Sequence, residues 1–293
     1  MAAVVSVGLV APAMAKTLPG LSQLGTKSIA VTRNAHGLFA PAHPGQLRPT
    51  ADAASFSTNW AGYVDTAGTG QEMTGVNSSF VVPSLDDLSP GFAATWAGIG
   101  GYTTQDLIQA GVEENYGIVL DSGYYAWYEV LPADETEITS GCVNNVTDCG
   151  VVEPGDDVTV AITQTAAPTT VGGPGTWLIK MVDSTEGWTY ENSVPYASSY
   201  SSAEWIQEAI TLAGVQTIMP LMANTSFGSG DTYTEVSGGS PSTQAIVDGS
   251  PVTLGNLDLG VFAEATPSAL GPDGKSFNVC DYALLDSCAA PTS

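Results

Sequence analysis

From residue 52 onward the chain is a succession of short runs rich in Val, Ile, Thr, Tyr and Trp, punctuated by Gly, Pro, Ser, Asn and Asp. The runs at Asn59–Val64, Val76–Val82, Ala93–Ile99, Leu107–Val112, Tyr124–Leu131, Asp157–Thr163, Thr176–Val182 and Thr232–Val236 are too short for helices. They are enriched in residues that pack well on a pleated surface. No strand–helix–strand alternation separates them, so the pattern predicts an all-β sandwich or barrel. Ser/Gly/Thr-rich stretches near 165–175 and 225–242 read as loops within one domain. All six Trp lie beyond residue 51 and 43% of the chain is hydrophobic, which is enough apolar surface to build a core.

Charge divides the chain in two. Residues 1–51 hold no Asp or Glu, yet carry Lys16, Lys27, Arg33, Arg48 and both histidines, His36 and His43. The rest carries all 30 acidic residues against Lys180 and Lys275. A body this acidic excludes nucleic acid and anionic membranes as partners. It also has few ion pairs to lose and little positive charge to gain in acid, so it reads as built for low pH. Residues 4–15 form a short apolar run ending Ala13-Met14-Ala15, the small-x-small pattern of a signal-peptidase site. The expected organisation is a signal peptide at 1–15, a basic propeptide at 16–52 and an acidic domain at 53–293, exported to the extracellular space.

Four cysteines permit three pairings. In an exported protein disulfides are expected, and the local pairs Cys142–Cys149 and Cys280–Cys288 are the most economical. Zinc fits poorly, because neither pair has a tight C-x-x-C spacing and no histidine lies nearby.

The absent residues narrow the chemistry. With no histidine after residue 43, the body has no Ser-His-Asp or Cys-His site and no H-E-x-x-H zinc site. Asp121-Ser122-Gly123 is a lone match to a motif that aspartic proteases need twice. Carboxylates, amides, hydroxyls and aromatics remain. A carboxylate with a pKa near 4 serves as a base in acid, and a Gln amide donates hydrogen bonds at any pH.

Four segments then stand out in order: S-T-N-W-A-G-Y-V at 57–64, W-A-G-I-G-G…L-I-Q-A-G-V at 96–112, Y-A-W-Y-E at 125–129 and A-E-W-I-Q-E at 203–208. Together with P-G-D-D-V at 154–158 and Met219–Ala223, they closely resemble the glutamic peptidases, or eqolisins, over roughly 57–228. The resemblance implies a sandwich of two large antiparallel sheets, of the concanavalin-like jelly-roll kind. It implies an endopeptidase without cofactor or metal, acting as a monomer on extended protein or peptide substrates, and the charge split adds the expectation of a basic propeptide that holds the acidic body in check. Gln109 corresponds to the catalytic Gln of the family's L-Q-T-G segment, and Glu208 to the catalytic Glu that ends A-E-W-I-V-E. Trp60 and Trp96 match the cleft tryptophans. Glu113 and Glu129 fall on recurrent acidic positions, and Tyr128 joins them as an expected substrate contact.

Some features depart from that pattern. The family's I-D-G is Ile99-Gly100-Gly101 here, so one cleft carboxylate is missing, and residues 229–293 have no clear counterpart. Other readings stand beside the resemblance. Ser201–Glu204 also fits a capping box, which would place Glu204 and Glu208 on one face of a helix. As a strand, the same segment puts Glu204, Ile206 and Glu208 on one face and Trp205 and Gln207 on the other. Two of Glu113, Glu129, Glu204 and Glu208 could serve a β-sandwich glycosidase. Exposed Trp and Tyr could instead make a carbohydrate-binding module.

Overall fold

The computed structural model describes residues 55–86, 90–117, 123–212, 215–237, 240–246, 249–256, 262–281 and 288–292. The expected signal peptide and propeptide, with His36 and His43, lie outside the described residues.

Two large antiparallel sheets make the fold. With strands numbered in chain order, the front sheet runs β7 (Thr136–Glu137), β6 (Gly123–Val130), β5 (Leu107–Tyr116), β4 (Gly91–Gly100), β11 (Ser202–Ala209), β2 (Trp60–Thr66) and β17 (Ser250–Asn256). The short β1 (Ser55–Ser57) joins β17 in parallel. The back sheet runs β16 (Ser240–Ala245), β15 (Thr232–Ser237), β3 (Gln71–Val81), β8 (Asp157–Ala166), β9 (Gly175–Asp183) and β10 (Trp188–Tyr196). Along one edge β14 (Thr225–Phe227), β19 (Phe277–Asp281) and β18 (Phe262–Pro267) lead from β3 to β17 and connect the two sheets. A small hairpin, β12 (Thr211–Leu212) and β13 (Val215–Gln216), follows β11.

Side-chain alternation explains where the core sits. On β8 the first seven residues alternate between outward and buried, so Val158, Val160 and Ile162 point inward with Trp177, Ile179 and Met181 of β9. The facing surface of the front sheet mixes small residues, Ala61, Ala93, Ala97, Ala110, Ala126 and Ala203, with larger ones, Tyr63, Ile99, Ile108, Val112 and Trp205. Large residues set among small ones let the two layers close to interior packing density. The front sheet differs from the back in its other face. All eight residues of β11 and nine of ten in β5 are buried, so these strands are covered on both sides.

The eight strand segments read from the sequence all lie within or largely within strands, and Ser202–Ala209 is a strand rather than a capped helix. Two features were not anticipated. Trp188–Tyr196 escaped because Glu191, Ser193 and Pro195 face outward at the edge of the back sheet, where polar residues and proline are tolerated. The expected loop at 225–242 contains β14 and the start of β16, whose polar residues and Pro241 suit another edge. Both expected disulfides form, Cys142–Cys149 and Cys280–Cys288, with Cα separations of 5.6 and 5.5 Å.

Candidate active site

The outer face of the front sheet is organised in three cross-strand rows. One row is Glu129, Gln109, Gly98, Glu204 and Val64; the next is Trp127, Gly111, Trp96, Ile206 and Gly62. The third is Tyr125, Glu113, Ala94, Glu208 and Trp60. Three of the four conspicuous sequence segments therefore meet here because β11 inserts between β2 and β4, and the fourth, on β6, joins through β5. Two glycines leave the necessary room. A Cβ on Gly111 would overlap Trp96 and the Thr95 carbonyl, while one on Gly98 would stand 3.1 Å from the Cβ of Gln109.

Glu208 is fully buried and held from two sides. Its Oε2 accepts the Trp96 indole N–H at 2.9 Å, and its Oε1 accepts from Asn59 Nδ2 at 3.3 Å. Ser57 fixes which way Asn59 points, since its hydroxyl donates to Asn59 Oδ1 at 2.8 Å and so leaves the amide nitrogen for Glu208. Trp60 packs edge-on against Trp96 with ring centroids 5.0 Å apart.

Gln109 is also fully buried. Its Nε2 donates to Glu129 Oε2 at 2.7 Å, and its Oε1 has no hydrogen-bond partner among the described residues. Gln109 and Glu208 do not touch. They stand on one face with β4 between their strands and the Trp96 row between their own rows. Beside Gln109 across β4, Glu204 is buried, and its carboxyl is pushed well above the usual range by burial, with the nearby Asp106 charge adding to the effect and the Ser202 hydroxyl opposing it. Glu113 occupies the matching place across β4 from Glu208.

Residues 58–253 match the model of the Peptidase A4 family. The chain belongs to that family, the eqolisins. It is accordingly a glutamic endopeptidase. Its fold is similar to that of a scytalido-glutamic peptidase bound to a transition-state-analogue inhibitor, at 19% identity over 76% of this chain and 98% of that one, with a TM-score of 0.54. It is also similar to SCP-B, an eqolisin solved with the tripeptide Ala-Ile-His, at 18% identity over the same shares and a TM-score of 0.52. No curated protein matches the chain significantly.

Within this eqolisin the structure brings Gln109, Glu208, Trp60, Trp96, Glu113 and Glu129 to one face, but not Tyr128. Strand alternation turns Tyr128 to the inter-sheet side, where it stacks on Tyr190 with centroids 5.9 Å apart. The family match also reaches into the stretch that had no counterpart, since it ends at residue 253 and β17 pairs with β2 beside the site. The missing I-D-G carboxylate has a local cause. Gly100 has φ 93°, and a Cβ there would lie 2.6 Å from both the Asp106 carbonyl and the Tyr196 hydroxyl. Sequence reasoning did not single out Asn59, although it sits in the S-T-N-W segment; its signal was a buried amide directly before a cleft tryptophan.

Proposed function

We propose that this eqolisin is an exported, acid-acting endopeptidase in which Glu208 is the base and acid and Gln109 binds the oxyanion. Ionised Glu208 takes a proton from water, and the resulting hydroxide adds to the scissile carbonyl carbon. The remaining Gln109 N–H donates to the oxyanion while its Oε1 orients the attacking water. The protonated Glu208 then delivers its proton to the leaving nitrogen, the C–N bond breaks, and an amine and a carboxylic acid are released. The observation that carries this reading is the shared face that presents Gln109, Glu208 and the two tryptophans together. Extended peptide substrates suit a sheet surface of this kind.

Buried carboxyls support the acid habit. Glu204, Asp183 and Asp231 are all raised, chiefly by burial, so each is most comfortable neutral. The precursor reading draws on burial as well. Gln109 and Glu208 are fully buried, which supports a form closed to substrate. In this reading the basic leader supplies the restraint near neutrality, drawn to the acidic body. Acid lowers the negative charge of the body as a whole and weakens the attraction. The test is to incubate the full chain at pH 3, sequence the new N-terminus, and assay casein and polysaccharide side by side. Cleavage near residues 50–56 with casein digestion supports the reading. A leader that stays intact, or polysaccharide hydrolysis without proteolysis, overturns it.

A further inference from the structure

We infer that Glu129 is a positioning residue that fixes the orientation of the Gln109 amide, rather than a contact for substrate. A Gln side chain offers oxygen on one side and nitrogen on the other, and a half-turn exchanges them at little cost unless a neighbour discriminates. A carboxylate discriminates because it accepts and does not donate. Glu129 Oε2 stands 2.7 Å from Gln109 Nε2, in the directly opposed position on β6, and both side chains are buried. That contact engages one of the two amide N–H groups. It leaves the second N–H for a developing oxyanion and turns Oε1, which has no partner among the described residues, away from Glu129. Gly98 keeps the opposite flank of Gln109 open, since any Cβ there would crowd it.

This inference rests on the reading of Gln109 as the oxyanion residue, and a double-mutant cycle separates the two. The assay is cleavage of a peptide substrate at pH 3 by each variant after its leader is removed with immobilised active enzyme, with the fold of each variant checked by circular dichroism. Removing a donor from an oxyanion site costs on the order of 10²–10³ in kcat, so Gln109→Ala should lose about that much. Glu129→Ala, which lets the amide turn, should lose roughly tenfold to a hundredfold in kcat with KM within about twofold, a smaller share of the same effect. Glu129→Gln keeps the contact but offers either a donor or an acceptor, so the discrimination is lost and the variant should stay impaired, with KM again within about twofold. In the Gln109→Ala background, Glu129→Ala should cost nothing more, because the two act as one unit.

A rise in KM with kcat unchanged would assign Glu129 to substrate binding and overturn the inference. Losses that multiply in the double variant, or a Glu129→Gln as active as the parent enzyme, would overturn it as well. If Gln109→Ala itself is fully active, the oxyanion reading fails first and visibly. Should Glu129→Ala not fold, Glu129→Leu fills the space without an acceptor and carries the same comparison.

Discussion

Replacing Asp183 with Asn should stabilise this protein near neutrality and leave it unchanged in acid. Asp183 ends β9 and is fully buried, with its Oδ1 accepting the Thr185 and Glu186 backbone N–H groups at 2.9 and 2.8 Å. Burial foremost, and then the charge of neighbouring Asp156, raises its carboxyl from 3.8 to about 6. The folded chain therefore keeps this proton up to about pH 6, whereas the unfolded chain releases it near pH 4. The resulting stability is fully present below pH 4 and is lost as pH rises toward 6. At 1.36 kcal/mol per unit the shift is worth at most about 3 kcal/mol. The adjoining turn at 184–187 is exposed, so solvent screening reduces this to about 1–3 kcal/mol. An Asn keeps the Oδ1 acceptor and cannot ionise. At roughly 2–4 °C per kcal/mol for a domain of this size, Asp183→Asn should raise Tm by roughly 2–12 °C at pH 7 and by almost nothing at pH 3. Thermal melts of both proteins at the two pH values make the comparison. An equal shift at both, or none at pH 7, would refute the reasoning.

Other consequences follow from hydrogen bonds around Glu208. Trp96→Phe keeps an aromatic ring but removes the N–H on Glu208 Oε2, so kcat at pH 3 should fall by about tenfold to a hundredfold, as expected for losing one hydrogen bond of roughly 1.5–3 kcal/mol to a charged group. A kcat within twofold of wild type would show that Trp96 merely packs. On the opposite face of β11, Gln207 accepts from Thr95 and Thr225 and donates to Glu114 Oε2 at 3.0 Å. Gln207→Val, which restores the family's A-E-W-I-V-E pattern, strips those buried groups of this partner. It should lower stability by about 1–3 kcal/mol in urea titration, and an unchanged midpoint would contradict the role assigned to the network.

Most of the strand positions were legible because a half-buried strand writes its alternation into the sequence. The site was legible in part for the same reason: Glu204, Ile206 and Glu208 could be placed on one face before any fold was known. Parity alone also excluded Tyr128 from the face of Glu129, yet the motif invited both to be read together. Register was beyond reach. Nothing local to A-E-W-I-Q-E says that β11 lies between β2 and β4, or that Glu208 stands across from Glu113 while Gln109 stands across from Glu204. The Asp156–Asp183 proximity was equally hidden, since it depends on how β8 and β9 pair. Gly100 shows the converse: its departure from the motif was plain in the sequence, and its cause appears only in the backbone geometry.

The central claim is that Glu208 performs the chemistry. The rate at which acid-processed Glu208→Gln cleaves an unfolded protein at pH 3 tests it most directly, because the amide preserves shape and hydrogen-bonding reach but cannot take a proton. Cleavage at the level of the uncatalysed control, with folding and leader removal by added active enzyme intact, is the predicted result. Cleavage within tenfold of the parent enzyme would contradict the account.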